Sequence, residues 1–203
     1  KAVRVGDIKY VDRNGDGVIS YEQDRGYVGA AAYPKFVGGL SFSGDWKGID
    51  LSFLFQAGLG RDVALTGVYS GGIMDNTQMT KPFYHGGNSP KYLVENSWRE
   101  DNTNAEFPRL SIVQASSNNA YSSTFWYRSG DYLRLKNLQI GYTFPQKWMS
   151  RIGIDRLRIY FEGQNLWTVS ELTKFNIDPE QPGVSNGYYP QQRIFSFGVN
   201  LAF

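Results

Sequence analysis

Residues 36–59 read FVGGLSFSGDWKGIDLSFLFQAGL, and this stretch decides the fold. Phe36, Leu40, Phe42 and Trp46 fall on one side of an extended chain, with Ser41, Ser43 and Asp45 on the other. After Lys47-Gly48 the alternation restarts: Ile49, Leu51, Phe53, Phe55, Ala57 and Leu59 oppose Asp50, Ser52 and Gln56. Side chains along a strand point to alternate faces, so a period of two predicts strands over 36–46 and 49–59. The Lys47-Gly48 pair between them predicts a tight hairpin link.

The same pattern recurs toward the C-terminal end. Leu138 to Phe144 places Leu138, Ile140, Tyr142 and Phe144 together, whereas Leu133 and Leu135 just upstream have the opposite parity. That switch predicts a bulge or a lipid boundary near Asn137. Arg156 to Val169 sets Leu157, Ile159, Phe161, Trp167 and Val169 against Arg156, Arg158, Glu162 and Gln164. Arg193 to Phe203 sets Phe195, Phe197, Val199, Leu201 and Phe203 against Ser196, Gly198, Asn200 and Ala202. These runs are longer than the usual soluble strand of about 5–6 residues and close to the ~9–11 that cross a bilayer.

Composition agrees with strands and turns. Among 203 residues there are 14 Tyr, 13 Phe, 5 Trp and 23 Gly but only 3 Met, a poor recipe for a helical bundle. The hydrophobic share is 41%, and no apolar run approaches the ~20 residues of a spanning helix. A membrane barrel escapes that test, because only alternate strand residues meet lipid. Net charge is +2 with scattered basic residues, which gives no nucleic-acid stripe. Cysteine is absent, excluding disulfides and thiolate metal sites. Lys1-Ala2-Val3-Arg4 opens on polar sequence rather than a signal peptide, so the expectation is a processed start or an interior piece.

The connections separate two architectures. A short link follows the first strand, whereas residues 60–137 after the second are rich in Gly, Asn, Ser and Thr. Pro145 to Asp155 is short with room for one helix, and Ser170 to Gln192 is a longer loop with Pro and Gly. Outer-membrane barrels alternate short periplasmic turns with long extracellular loops in this way. If Phe203 ends in the periplasm, Lys47-Gly48 and Pro145 to Asp155 fall on the periplasmic side and Lys1 to Lys35 outside. Membrane barrels need at least about eight strands, and an open edge in lipid leaves backbone groups unsatisfied, so further strands are required. The competing architecture is a soluble secreted β-sandwich, a carbohydrate-binding module with a calcium-stabilised loop, whose extra strands hide in the long loop.

Several motifs then resemble one family. Gly6-Asp7-Ile8-Lys9-Tyr10 followed by Asp12-Arg13-Asn14-Gly15-Asp16-Gly17 looks like the loop before the final strands of SusC/RagA-type TonB-dependent transporters. Tyr132-Leu133-Arg134-Leu135-Lys136-Asn137, then Gly141-Tyr142 and Pro145, resembles that family's best-marked C-terminal strand. Gly163-Gln164-Asn165-Leu166-Trp167 resembles its penultimate strand, and Tyr189-Pro190-Gln191 with Phe197-Gly198-Val199-Asn200 and Phe203 its last. Asp101-Asn102-Thr103 with Phe107-Pro108-Arg109-Leu110 is similar to a segment of its long loop. The resemblance implies an all-β fold: the last ~5 strands of an antiparallel transmembrane β-barrel of about 22 strands with a plugged lumen. It implies extracellular residues 1–35, a barrel segment over 36–203, and a plug domain and earlier strands outside this sequence. It further implies TonB-dependent nutrient import across the bacterial outer membrane, with a SusD-like surface lipoprotein as partner. The cargo implied is oligosaccharide or peptide, and TonB would act through the N-terminal part that is absent here.

The sharpest local chemistry is Asp12-x-Asn14-x-Asp16-Gly17, running on to Asp24. Calcium takes six to eight oxygens, supplied by alternate acidic or amide residues on a tight turn with Gly at the sixth position. Asp12, Asn14 and Asp16 fit the first, third and fifth places, the Val18 carbonyl the seventh, and Ser20 the ninth through water. Gln23 stands at the twelfth, so Asp24 closes the shell only if the loop stretches by one residue. The alternative is an Asx-turn loop that needs no ion.

Little points to catalysis. His85 is the one histidine, in Tyr84-His85-Gly86-Gly87, and no Ser has triad spacing to it. Glu100 and Asp101 lie in loop sequence and read as solvated. Trp46, Tyr142, Trp148, Trp167 and Phe203 fall near strand ends, where a barrel carries its interfacial aromatic girdle. Phe203 also resembles the terminal aromatic recognised by the outer-membrane insertion machinery. Tyr69, Tyr84, Trp98, Tyr188 and Tyr189 are the loop aromatics able to stack on sugar rings or to pack against a partner.

Overall fold

The computed structural model describes residues 3–29, 31–65, 90–110, 118–182 and 191–203. Its long strands are β1 (Phe36–Trp46), β2 (Ile49–Leu59), β5 (Tyr132–Thr143), β6 (Arg156–Ser170) and β7 (Ile194–Ala202). Two three-residue strands, β3 (Asp62–Ala64) and β4 (Tyr127–Ser129), pair with each other. The long strands form one sheet in the order β1-β2-β5-β6-β7, every neighbour antiparallel. It is a meander in chain order, with β1 and β7 as its edges.

The alternation in the sequence becomes two chemically distinct faces. Register sets Phe42 opposite Phe53, Phe53 opposite Leu138, Ile140 opposite Phe161, and Phe161 opposite Phe197. Ring contacts run along the same face: Phe42–Phe53 at 5.4 Å and Phe161–Phe197 at 5.2 Å between centroids. Such cross-strand pairs are the unit of sheet stabilisation, each contributing roughly 0.2–1 kcal/mol over alanine. Yet the face stays uncovered, with Phe197 83% and Leu40 65% exposed. A soluble sandwich buries this face under a second sheet. Among the described residues the other sheet has only β3 and β4.

The parity switch near Asn137 has a geometric cause. β5 is one continuous strand from Tyr132, and the register slips between Leu135 and Asn137 against β6, and between Leu54 and Phe55 of β2. Against β2, Lys136 is therefore the extra residue of a bulge, and against β6 it falls in the same break as Asn165 and Leu166, with Asn165 in the left-handed region at φ 52°. The bulge returns Leu133 and Leu135 to the apolar face. The turn after β5 holds helix α2 (Gln146–Met149) and a 3₁₀ turn, Ser150–Ile152.

Two compact units share the described chain. One gathers residues 3–29, 63–65, 90–110 and 118–128, and the other 31–62, 129–182 and 191–203. The second contains the five-stranded sheet. The first has its own core of Ile8, Leu65, Leu93, Phe107 and Trp126, and includes helix α1 (Lys91–Glu95). The stretch expected to be loop thus carries short elements around a small apolar centre.

The β1–β2 turn yields a test. Lys47 and Gly48 both have positive φ, at 50° and 87°, as a tight hairpin of matching twist requires. A Cβ on Gly48 would lie 2.6 Å from the Thr143 carbonyl oxygen. Gly48→Val should destabilise the folded protein by at least ~1–2 kcal/mol, seen as a lower urea midpoint in lipid or detergent. An unchanged midpoint would contradict the turn geometry.

Candidate functional site

The polar face of the sheet is built from cross-strand groups. The Arg158 Nε on β6 donates to Asp50 Oδ2 on β2 at 2.9 Å, and a terminal guanidinium nitrogen donates to Oδ1, a bidentate pair reaching across β5. Gly141 of β5 lies between them, where a Cβ would come within 2.4 Å of Asp50 Oδ2. The guanidinium also sits 4.7 Å over the Tyr160 ring. Gln56, Glu162 and Gln164 share this face, with Gln56 Nε2 donating to the Tyr132 hydroxyl at 3.3 Å and Gln164 Nε2 to Glu162 at 3.3 Å. An open cleft of about 460 Å³ lies against Gln139, Arg156, Arg158 and Asn200. Charges and amides on one face and uncovered rings on the other suit a wall between water and lipid.

The Gly6–Tyr10 motif has a structural role in the first unit. Gly6, at φ +85°, lies so close under the Trp98 indole that a Cβ would be 2.3 Å from its Cδ2. The Ile8 amide donates to Asn119 Oδ1 at 2.8 Å, and Asn118 Nδ2 returns a bond to the Ile8 carbonyl at 2.6 Å. Asn119 Nδ2 donates to Asp7 Oδ1 at 3.0 Å, and the Tyr10 hydroxyl donates to the Asn118 carbonyl at 2.7 Å. Burial pushes the Tyr10 phenol up to about 12. Phe107 and Trp126 stack at 6.1 Å beneath this clasp, and Trp126 Nε1 donates to the Asn119 carbonyl at 3.0 Å. Asn118 and Asn119 carried no signal in the sequence, since their partners Asp7, Ile8 and Tyr10 lie more than a hundred positions away.

The Asp12–Asp24 loop is a set of nested Asx turns. Asp12 Oδ1 accepts from the Gly15 amide and Oδ2 from the Gly17 amide, both at 2.8 Å. Asn14 Oδ1 accepts from the Asp16 amide at 3.1 Å, and Asp16 Oδ1 from the Val18 amide at 2.7 Å. Gly15 and Gly17 have φ of 75° and 81°, which lets the chain fold around these oxygens. Asp24 closes the loop, accepting from the Arg13 and Ser20 amides at 2.7 and 2.6 Å. Among the described residues, no three His, Cys, Asp or Glu side chains converge as a metal-binding group. A cation here would need the Asn14 amide, the Ser20 hydroxyl and the Val18 carbonyl beside the carboxylates.

The other sequence candidates divide. Trp98 lies beside a shallow cleft of about 290 Å³ with Lys9, Glu106, Phe107 and Phe125. Tyr69, Tyr84, Tyr188 and Tyr189, like His85, lie outside the described residues. Trp46, Trp148 and Phe203 are 67%, 55% and 84% exposed, an arrangement open to interfacial contact.

Acid should loosen the loop. Backbone amides of Ser20, then Arg13, hold the Asp24 carboxyl below its usual range. A depressed pKa stabilises above the unfolded value, and that contribution disappears as pH falls through the folded value. Hydrogen-exchange protection of the Arg13 and Ser20 amides should therefore be full above about pH 4 and fall below it. Protection independent of pH would contradict the closure.

Comparison with known proteins places these features. No protein-family model matches the chain. TonB-dependent receptor P3 of Formosa agariphila is 29% identical over 96% of the chain, and TonB-dependent receptor SusC of Bacteroides thetaiotaomicron 26% identical over 96%. The RagAB peptide importer in its open-open state matches 96% of the chain at 26% identity and a TM-score of 0.58. The chain spans only 19%, 17% and 20% of these three proteins. In sequence and in its antiparallel sheet, the chain is similar to a β-barrel segment of SusC- and RagA-type TonB-dependent receptors.

Proposed function

We propose that the chain is the C-terminal wall segment of a TonB-dependent importer in the bacterial outer membrane, with a role in transport rather than catalysis. The observation that carries this reading is the sheet itself. Five register-locked strands hold rings and aliphatics on one uncovered face, and the Asp50–Arg158 pair with its amide neighbours on the other. In this reading the apolar face meets lipid and the polar face lines the lumen or touches the plug. The unpaired edges of β1 and β7 join the other strands of a barrel of about 22. Phe203 serves as the insertion signal, and TonB acts through a segment outside this sequence.

The cargo is a nutrient, oligosaccharide in the first reading. A peptide is the second, favoured by the likeness to the RagAB peptide importer. The first unit, with Trp98 and the loop aromatics, meets cargo and a SusD-like surface lipoprotein; pairing with such a partner follows the SusC and RagAB likenesses.

Parity supplies the test. In the complete protein, Phe197→Arg puts a charge on the proposed lipid face, at a cost of about 2–4 kcal/mol near the midplane. Its neighbour Ser196→Arg puts the same charge on the polar face. Surface levels and uptake from a panel of labelled glycans and peptides should collapse for the first and persist for the second. Equal tolerance of both, or wild-type uptake of none, would sink the reading.

The Asp12–Asp24 loop we assign as a calcium-bound staple of the external unit. The support is that side-chain oxygens of Asp12, Asn14, Asp16 and Asp24 all turn onto amides within the one loop. Calorimetry should register calcium heat that Asp16→Ala removes; no heat in the unaltered protein would leave an ion-free Asx loop.

A further inference from the structure

The chain leaving β6 folds back onto the polar face of the sheet. A 3₁₀ turn, Glu171–Phe175, starts where the Ser170 hydroxyl accepts from the Leu172 amide at 3.3 Å. Asn176, in the left-handed region at φ 56°, then reverses the path toward Asp178-Pro179-Glu180. Leu172, Phe175 and Ile177 are 0%, 2% and 4% exposed, and Pro179 is fully buried. A surface loop bearing solvated side chains has no such buried row.

Arg134 meets this strap. It stands on the polar face of β5, in register with Gln56 of β2 and Thr168 of β6, and is 3% exposed. Its Nε donates to Thr168 Oγ1 at 2.9 Å, and one terminal nitrogen donates to both Asp178 oxygens at 3.0 and 2.9 Å. The other terminal nitrogen donates to Glu180. Lys136, the bulge residue, donates to both Glu180 oxygens at 3.2 and 3.1 Å. Two further bonds hold the ends: Arg61 Nη1 to the Pro179 carbonyl at 3.3 Å, and the Ser129 amide to Glu171 Oε2 at 3.0 Å.

The charges balance, two cations against two carboxylates. A buried guanidinium is stable only when its fork is paired, and removing one partner leaves an uncompensated charge. The bulge matters as well, because the extra residue brings the Lys136 ammonium to the same carboxylate that Arg134 holds. Nothing in this network touches the Asp50–Arg158 pair, so it is a separate device.

We propose that residues 171–182 are a fixed inward strap, latched by Arg134 to Asp178 and Glu180, that narrows the external mouth of the lumen and limits the size of what enters. The proposal rests on the polar face being the lumen wall. Since 171–182 follows the end of β6 opposite to the α2 turn, the strap lies at the external end in that topology.

The test uses the complete protein in cells. Arg134→Met removes the latch from the wall, and Asp178→Asn with Glu180→Gln removes its charge from the strap, leaving Arg134 in place. Heat-modifiable migration in the outer-membrane fraction reports a folded barrel, and trypsin added outside reports opening of the strap at Lys174. Wild type should resist cleavage after Lys174. At least one variant should fold, be cut there at least tenfold faster, and admit larger cargo analogues. If no folded variant is cut faster than wild type, or faster cutting leaves the size limit unchanged, the proposal is overturned. Failure of both variants to insert overturns it as well, because the network would then be part of barrel folding rather than a latch on the strap. Wild type absent from the outer-membrane fraction would instead overturn the lumen reading on which the strap depends.

Discussion

A slip of one residue between any two of the five long strands would carry one strand's apolar set to the polar side. Phe53, Phe161 and Phe197 share a face only because β2, β5, β6 and β7 hold their register. Two local devices keep it: the Lys47-Gly48 turn, whose positive φ values close the first hairpin, and the Lys136 bulge, which restores parity partway along β5. From that one constraint follow the two faces and the cross-strand row from Asp50 to Arg158. The pairing demand at the free edges follows too, since backbone groups facing lipid must be satisfied within a closed sheet.

The strands were legible because their signal is local and repeated. Predicted spans 36–46 and 49–59 coincide with β1 and β2, and the switch between Leu135 and Leu138 pointed to the bulge. The third strand read as starting at Leu138 because the bulge breaks the period on which the reading relied. Its first half, from Tyr132, emerged only with the partner strands in view. The first unit was opaque for a different reason. Three-residue strands and a five-residue helix carry no measurable period, and its core residues come from 8, 65, 93, 107 and 126.

The sites divide along the same line. The Asp12–Asp24 loop could be found from spacing because its hydrogen bonds run between near neighbours. Arg134 could not. It belongs to a motif that resembles a family strand, yet its partners Asp178 and Glu180 sit in a loop with no distinguishing pattern. Asn118 and Asn119 are ordinary polar residues in sequence and become a clasp only when Ile8 and Asp7 are brought beside them. Polar groups recruited across long separations are the part of a fold that periodicity cannot report.

Whether lipid or water meets the aromatic side of the sheet can be measured directly. Spin labels placed singly at Phe53, Phe161 and Phe197 of the complete protein in bilayers report collision with oxygen, enriched in lipid, and with a water-soluble nickel reagent. All three should be oxygen-accessible and nickel-shielded, with labels at Ser52, Glu162 and Ser196 the reverse. Nickel access at the three phenylalanine positions, or no difference between the two sets, would contradict a lipid-facing aromatic side.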